Sequence, residues 1–150
     1  MRARLQSIGG EDGFTLIEIL VVILIIGVLA AIAIPSFLNQ TSKAFDASAK
    51  ELAHSAQIAV EDYATDHSGS YVGLTASALP TYDSTIQTTS NGGANAYVVG
   101  VTNVTSTGYT VTTSSANDSE RFSITRLNGQ MTRSCTPSTG QHGGCNNGTW

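Results

Sequence analysis

The sequence predicts an α+β protein in which one long N-terminal helix, about residues 14–67, packs its C-terminal half on an antiparallel sheet of about four strands. Three observations predict this fold. An apolar run fills residues 14–38. A helical repeat of apolar residues continues from that run to about residue 67. Stretches rich in Val, Thr and Tyr then follow over residues 96–135, which is typical of strands.

The apolar run is long enough to cross a membrane. It reads FTLIEILVVILIIGVLAAIAIPSFL, with Glu18 as its single charge. As a helix it would measure about 37 Å and be apolar on all sides, so a small soluble domain could not bury it. Arg2 and Arg4 precede the run, and Lys43 is the first basic residue after it. This weak charge bias favours an N-terminus in the cytoplasm and a C-terminus outside.

Two other kinds of segment share this composition. In a secretory signal peptide the sequence VLA at residues 28–30 could be the cleavage site, although residues 32–38 remain apolar beyond it. A simple single-span anchor is the second alternative. A lipoprotein signal is excluded because no cysteine lies near the run. Neither alternative explains Glu18, since a carboxylate near the start of a spanning helix costs about 2 to 3.5 kcal/mol on insertion scales.

Cleavage between Gly13 and Phe14 would give Glu18 a role. The new α-amino group of Phe14 would lie four residues from Glu18, on the same face of the helix and at the positive end of its dipole. That ammonium could pair with the carboxylate of a neighbouring copy when helices bundle in a medium of low dielectric constant. Such a pairing would set the axial stagger between copies.

Residues 13–18, GFTLIE, resemble the prepilin peptidase site of type IV pilins and type II secretion pseudopilins. The resemblance implies that prepilin peptidase cuts after Gly13, that Phe14 becomes the N-methylated terminus and that Glu18 is the assembly carboxylate. It is specific over residues 13 to about 40 and only architectural beyond. Glu11 and Asp12 depart from it, because family leaders are often basic at that point, which leaves the efficiency of cleavage open.

Gly27 and Pro35 match the positions where the same family has a helix-loosening glycine and a helix-kinking proline. Pro35 lacks a backbone donor and clashes with the carbonyl of Ala31, so we expect a bend there. Gly27 weakens a helix by about 1 kcal/mol relative to Ala. Whether the helix loosens between these residues or only kinks stays open.

The expected organisation has six segments. They are a leader (1–13), a transmembrane and assembly half-helix (14–38), an amphipathic half-helix (39–67), an αβ-loop (68–95), the antiparallel sheet (96–135) and a disulfide-framed C-terminal loop (135–150).

The amphipathic half-helix has an apolar stripe that should face the folded domain. Its members are Phe45, Ala49, Leu52, Ala53, Ala56, Val60, Tyr63 and Ala64. The polar positions expected to face away include Lys43, Asp46, Lys50, Glu51, Glu61 and Asp62. We expect the helix to end near Ser68 and Gly69. The αβ-loop is rich in turn formers, with one short element expected around residues 76–79.

The sheet is predicted from three runs, residues 96–104, 108–115 and 121–135, the last divided by Asn128-Gly129 into a hairpin. Alternation places five side chains towards the helix and leaves Thr and Ser outward. They are Tyr97, Val99, Val101, Tyr109 and Val111.

Cys135 and Cys145 lie close together in a tail rich in Gly and Thr. They are too few for a four-thiolate metal site, and a short-loop disulfide in an oxidising compartment is the simpler expectation. It would contribute about 2.8 kcal/mol in the chain-entropy model. Two free thiols are the alternative.

We find no pattern for catalysis, a metal or a cofactor, and we expect a protein that is not an enzyme. His54, His67 and His142 have neither metal-ligand spacing nor a nucleophile's pattern and are expected at the surface. Asp118 and Glu120 could ligate calcium, but a turn explains them equally well.

Charge and sequons add little to these expectations. With a net charge of −4 and scattered basic residues, a dedicated nucleic-acid surface is not expected. Asn103, Asn117 and Asn147 begin N-glycosylation sequons, which arise readily by chance in such a chain.

Together these observations predict a structural subunit of a type IV pilus that polymerises through its N-terminal helix for adhesion, motility or DNA uptake. The resemblance implies further copies of the chain, prepilin peptidase and the inner-membrane assembly machinery as partners. It also implies residence in the cytoplasmic membrane before assembly and at the cell surface afterwards. A major pseudopilin of type II secretion is the alternative, although the strand region lacks its Asp-Pro-Trp-Gly-like calcium loop. A membrane-anchored surface domain that never polymerises is the second alternative.

Overall fold

The computed structural model of the chain describes residues 13–90, 94–116, 120–137, 141–142 and 144–150. It confirms the α+β prediction: a long helix, α1 (Leu16–Asp66), accompanies a four-stranded antiparallel sheet. The chain divides into two compact units, the first ending at Phe37 and the second running from Leu38 to Trp150. The expected leader, apart from Gly13, lies outside the described residues.

The first unit is the apolar part of α1. Its large apolar side chains are mostly exposed, and Leu16 and Ile32 are each more than 70% exposed. By length and composition, α1 is the single helix in the described part of the chain that could cross a membrane. The helix continues through Gly27 and Pro35 without interruption, so the expected kink stays a prediction.

In the second unit, α1 ends where the sequence predicts a helix stop. Ser68 and Gly69 take positive φ angles of 57° and 82°. The amide of Gly69 donates to the carbonyl of Ala64 at 2.7 Å, which satisfies a carbonyl of the last turn. A 3-10 turn (Ala76–Ala78) and a short helix, α2 (Leu79–Tyr82), follow in the αβ-loop.

The sheet contains four strands in sequential order, each antiparallel to the next. They are β1 (Ala96–Thr102), β2 (Gly108–Ser115), β3 (Arg121–Leu127) and β4 (Gln130–Thr136). Asn128 and Gly129 connect β3 to β4 with φ angles of 49° and 83°, as a type I′ turn requires. The predicted hairpin is therefore confirmed. A separate two-stranded ribbon pairs β5 (Gln141–His142) with β6 (Cys145–Asn146).

The core of the second unit lies between α1 and the sheet. The helix contributes small residues, including Ala53, Ala56 and Ala59, which are at most 1% exposed. Because these side chains are short, α1 can approach the sheet closely. The remaining apolar members come from the first three strands and from the loop after α1: Tyr71, Leu74, Leu79, Ile86, Val98, Tyr109, Val111 and Ile124.

The predicted alternation along β1 is wrong. Val98 is buried, whereas Val99 is 41% exposed and Tyr97 is half-buried. The register with β2 shifts between Val98 and Gly100, which marks a β-bulge. A bulge inserts one residue into the strand and resets the alternation, so Val98 and Val101 both reach the core side.

The expectation that Thr and Ser of β2 all face outward is also wrong. Thr113, Ser114 and Ser115 are buried. Thr113 Oγ1 donates to the carbonyl oxygen of Ala49 on α1 at 2.8 Å. A small hydroxyl fits against an alanine on the helix, and this hydrogen bond offsets the cost of burying it.

Candidate functional site

The predicted cleavage site lies immediately before α1. Gly13 and Phe14 precede the first helical residue, Leu16. The ring of Phe14 is 80% exposed, and an added Cβ on Gly13 would have no atom within 4 Å. Among the described residues, none packs closely on Gly13 or covers most of the Phe14 ring, which leaves the peptide bond between them accessible from that side.

Glu18 forms a capping box with Thr15, and the sequence reasoning missed this interaction. The carboxylate oxygen Glu18 Oε2 accepts hydrogen bonds from both the amide and the hydroxyl of Thr15, each at 3.2 Å. In return, the amide of Glu18 donates to Thr15 Oγ1 at 3.2 Å. The signal was readable, since a Thr followed three residues later by Glu before an apolar run is the capping-box pattern.

The capping box holds the carboxylate of Glu18 where the helix favours a negative charge. The first amides of a helix lack intrahelical partners, and the dipole is positive at that end. These groups partly replace water around Glu18, which lowers the cost of placing its charge in an apolar segment. The structure therefore gives Glu18 a role within one chain, next to its predicted role between chains.

Gly27 lies in an apolar concavity on the surface of α1. The concavity has a volume of about 500 Å³, and a Cβ on Gly27 would meet no atom within 4 Å. Its lining residues are Leu20, Ile23, Leu24, Gly27, Val28 and Ala31. Small residues at such a position let another helix approach closely in an apolar medium.

In the second unit, Glu61 of α1 joins the helix to the sheet and to the following loop. Its oxygen Oε1 accepts from Arg126 Nη1 of β3 at 2.7 Å and from the hydroxyl of Tyr109 of β2 at 2.9 Å. Its other oxygen, Oε2, accepts from the hydroxyl of Tyr71 at 2.9 Å. The rings of Tyr71 and Tyr109 meet edge to face, with centroids 4.9 Å apart. We call Glu61, Tyr71, Tyr109 and Arg126 the Glu61 cluster.

The surroundings within the Glu61 cluster raise the pKa values of the three groups that donate to the carboxylate. Burial, followed by the hydrogen bond to Glu61, raises the pKa of the Tyr109 hydroxyl far above its ordinary value. The same two causes raise the pKa of Tyr71. The hydrogen bond to Glu61 raises the pKa of Arg126. The carboxylate therefore holds two neutral hydroxyls and one guanidinium in their donor forms.

A second polar junction joins α1 to the C-terminal loop. The amide of Gly144 donates to Asp46 Oδ2 at 3.0 Å, and the carbonyl of Gly144 accepts from Lys50 Nζ at 2.6 Å. A Cβ on Gly144 would lie 2.8 Å from Lys50 Cε, so only glycine fits without rearrangement. The predicted disulfide between Cys135 and Cys145 is confirmed and closes the loop beside this junction.

The prediction that Asp46, Lys50 and Glu61 all face away from the domain is wrong. Asp46 is 1% exposed, and Glu61 and Lys50 are half-buried. These positions border the apolar stripe, and periodicity cannot show which border positions meet polar groups of the sheet or loop. Their partners are brought to them by the tertiary fold.

The histidines and acidic residues do not form a metal site in the described part of the chain, where no group of three or more His, Cys, Asp or Glu is suitably placed. His54 packs its ring edge against Trp150, and His67 stacks on Tyr63. The side chain of His142, together with Asp118 and Asn117, lies outside the described residues. The calcium hypothesis for Asp118 and Glu120 therefore stays untested.

Comparisons with known proteins agree with this N-terminal geometry. The family described as "Prokaryotic N-terminal methylation motif" matches residues 10–34. The chain is 41% identical over 68 residues to the fimbrial protein of Neisseria meningitidis serogroup B, an alignment covering 45% of this chain and 39% of that protein.

Two further relatives give the same result. The type IV major pilin protein PilE1 of Neisseria gonorrhoeae is 42% identical over 57 residues, covering 38% of this chain and 34% of its own length. The fimbrial protein EcpC of Eikenella corrodens is 43% identical over 56 residues, covering 37% of each chain. The matches thus span between a third and two fifths of these relatives. No solved structure matches the chain.

All three relatives are named as pilins or fimbrial proteins, in agreement with the expectation of a structural protein rather than an enzyme. The family match includes Gly13, Phe14 and Glu18, the residues on which the resemblance to prepilins rests. The chain therefore matches the N-terminal methylation motif over residues 10–34 and is similar to type IV major pilins and fimbrial proteins over 37% to 45% of its length.

Proposed function

We propose that the chain is the structural subunit of a type IV pilus, which polymerises through its N-terminal helix into an extracellular filament. The observation that carries the proposal is the match of residues 10–34 to the methylation motif, on a helix whose large apolar side chains are mostly exposed in the described part of the chain. Adhesion, motility and DNA uptake are the activities that such a filament serves.

Processing is the first step of the proposed function. Prepilin peptidase cuts between Gly13 and Phe14 and leaves Phe14 as the N-methylated terminus. The exposure of Phe14 and the open surroundings of Gly13 support access to this bond. Before the cut, the leader lies on the cytoplasmic side and the second unit lies outside, where an oxidising compartment suits the Cys135–Cys145 disulfide.

Assembly moves the helix from lipid into a bundle of identical helices. Both surroundings are apolar, so residues 14–38 exchange one apolar neighbour for another. In the bundle, the carboxylate of Glu18 pairs with the α-amino group of Phe14 in a neighbouring copy, which fixes the stagger between copies. The concavity at Gly27 lets a neighbouring helix pack closely.

Two other functions share parts of this argument. A major pseudopilin of type II secretion would have the same N-terminal motif. A membrane-anchored surface domain would need the apolar helix but no assembly carboxylate. The names of the relatives, which are fimbrial proteins and major pilins, favour the pilus.

The proposal is tested by intact-mass and N-terminal peptide analysis of material sheared from the surface of the source cells. We expect a chain that begins at methylated Phe14 and is lighter by the two hydrogens lost in forming the Cys135–Cys145 bond. A chain that begins after Ala30, or an uncut form retained in the membrane, would contradict the proposal. A processed chain that stays with the cells and is required for release of a secreted enzyme would identify a pseudopilin instead.

A further inference from the structure

The face of β4 that turns towards α1 is exposed at Met131 and Arg133, although Cys135 on the same face is buried. Arg133 and Met131 pair with Ile124 and Arg126 of β3 and so lie on the side of the sheet where Ile124 is buried. Nevertheless Met131 is 41% exposed, and Arg133 is exposed as well. The main core beneath α1 takes apolar side chains from the first three strands, and β4 contributes only Cys135, which belongs to a smaller buried cluster with Ala49. Neither cluster includes Met131 or Arg133.

This exposed part of the face forms a groove between α1 and β4. The groove has a volume of about 370 Å³ and is lined by Gln57, Ile124, Met131 and Arg133. Its lining combines the apolar side chains of Ile124 and Met131 with polar Gln57, and among these described residues Arg133 carries the formal charge. That guanidinium lies 5.3 Å from the ring centroid of Trp150, which orients it. We call these four residues the β4 groove.

A second patch of complementary character surrounds the start of the αβ-loop. The side chain of Val72 is 61% exposed. Its backbone is held in place, because its carbonyl accepts a hydrogen bond from the hydroxyl of Tyr63 at 3.0 Å. The ring of Tyr63 meets the ring of Tyr82 edge to face. Asp62 and Asp66 lie close to Tyr82, and both are exposed. We call Asp62, Asp66 and Val72 the acidic patch.

The groove and the acidic patch lie on different sides of α1. At 3.6 residues per turn, Asp62 and Asp66 project about 140° and 180° around the helix from Gln57. One copy therefore cannot bring its own two surfaces together. A two-fold axis could pair the groove with the acidic patch only if both lay on one face of the copy, which they do not. A head-to-tail contact joins the two surfaces and leaves one of each available for the next copy.

We propose that the acidic patch of one copy docks on the β4 groove of the next copy, with Val72 against Met131 and with Asp62 and Asp66 towards Arg133. The occupant of the groove is thus a second copy of this chain. The inference rests on the proposed polymerisation and adds to it a contact between the second units, which is separate from the pairing of Glu18 with Phe14. The opposite charges favour the correct face and register over others.

A charge exchange tests the contact in the full-length chain. Arg133→Glu places like charges together, so we expect the yield of sheared filaments to fall at least about tenfold. The triple variant Arg133→Glu, Asp62→Lys, Asp66→Lys restores the opposite charges and should recover at least half of the wild-type yield. Arg121→Glu is the matched control: it makes the same charge change on the other face of the sheet and should leave the yield unchanged.

The amount of processed subunit in the membrane must be measured for every variant, so that lower yield is not confused with lower folding or cleavage. If Arg133→Glu and Arg121→Glu behave alike, or the triple variant recovers nothing, the contact is wrong although the filament proposal stands. If the wild-type chain is processed but never forms filaments, the proposed function itself fails.

Cross-linking provides a direct measurement of the same contact. Filaments of the double variant Val72→Cys, Met131→Cys should give a ladder of covalent oligomers after mild oxidation. Filaments of either single variant should remain monomeric, because a head-to-tail contact never places two copies of one position together. Equal cross-linking in a single variant would overturn the proposed geometry.

Discussion

Arg126 of β3 and Glu61 of α1 form an ion pair in which Nη1 and Oε1 are 2.7 Å apart. The same oxygen accepts the hydroxyl of Tyr109 from β2 at 2.9 Å. A single carboxylate on the helix therefore contacts two neighbouring strands. Because Glu61 and Arg126 are each one third exposed, solvent weakens the ion pair itself, and the hydrogen bonds that would be left unmade matter more.

The first prediction concerns Glu61→Gln, which keeps the size of the side chain and removes its charge. We expect the free energy of unfolding to fall by about 1 to 3 kcal/mol, because a neutral amide cannot satisfy all three donors of the Glu61 cluster. Urea unfolding of the full-length chain in detergent micelles, followed by the near-ultraviolet circular dichroism of tyrosine, measures it. Glu51→Gln is the control at an exposed position of α1. Equal changes in both variants would contradict the role of Glu61.

The second prediction concerns alkaline pH. The pKa of Tyr109 is raised in the folded chain, so the folded state retains a proton that the unfolded state loses. This contribution to stability is complete below the unfolded pKa of about 10 and decreases above it, by about 1.4 kcal/mol per pH unit for one group. Unfolding free energies measured between pH 8 and 12 should show a shallower alkaline decline in Tyr109→Phe. An unchanged decline would mean that Tyr109 does not stay protonated.

The third prediction concerns the hydroxyl of Thr113. Thr113→Val keeps the shape and removes the donor to the carbonyl of Ala49, so we expect a loss of about 1 kcal/mol. Thr110→Val on the same strand is the control, because its hydroxyl pairs with Thr125 on the opposite face of the sheet. Chemical denaturation should rank Thr113→Val as the less stable. The reverse order would count against the contact between β2 and α1.

The fourth prediction concerns Gly144, where a side chain would collide with Lys50. Gly144→Ala should displace the flexible end of Lys50 from the Gly144 carbonyl and lower stability by about 1 kcal/mol, because the hydrogen bond between them is lost. Gly100→Ala is the control, since a Cβ there meets no atom within 4 Å. Hydrogen exchange of the Cys145 and Asn146 amides should accelerate only in Gly144→Ala. Equal acceleration in both would remove the special role of Gly144.

The fifth prediction separates the two roles of Glu18. Glu18→Ala should be inserted and cut but should fail to assemble, because it lacks the intermolecular carboxylate. Thr15→Val removes the hydroxyl of the capping box at a cost of about 1 kcal/mol to the helix start and keeps the carboxylate, so it should still form filaments. Electron microscopy and immunoblots of sheared filaments measure both. If the two variants fail equally, the carboxylate acts through the cap alone.

The sequence was sufficient to predict elements whose cause is local. The length of α1 follows from continuous helical periodicity, the β3–β4 turn follows from Asn128-Gly129, and the stop near Gly69 follows from the need for a positive φ angle. These signals lie within a few residues of the feature that they predict. The position of Cys145 close to Cys135 made their disulfide predictable in the same way.

The sequence was not sufficient to predict the contacts and burial of residues whose partners lie far away along the chain. Glu61 and Glu51 are both carboxylates on one amphipathic helix. Of the two, Glu61 is the one that accepts hydrogen bonds from a guanidinium and two phenol hydroxyls. The guanidinium belongs to Arg126, 65 residues further along the chain. The bulge in β1 could not be predicted from the sequence either. Residues 98 and 99 are both valine, and the register with β2 determines which of them is buried. Alternation along one strand contains no information about its neighbour.

The contacts of α1 in the second unit are distributed along the helix rather than gathered at one end. Asp46 and Lys50 form hydrogen bonds with Gly144 of the C-terminal loop. The carbonyl of Ala49 accepts a hydrogen bond from Thr113, and Glu61 accepts hydrogen bonds from β2 and β3. The span from Asp46 to Glu61 is about 22 Å. A force applied along the helix would therefore load these attachments in parallel, as shear, instead of peeling them apart one after another. Such an arrangement suits a component that must bear tension.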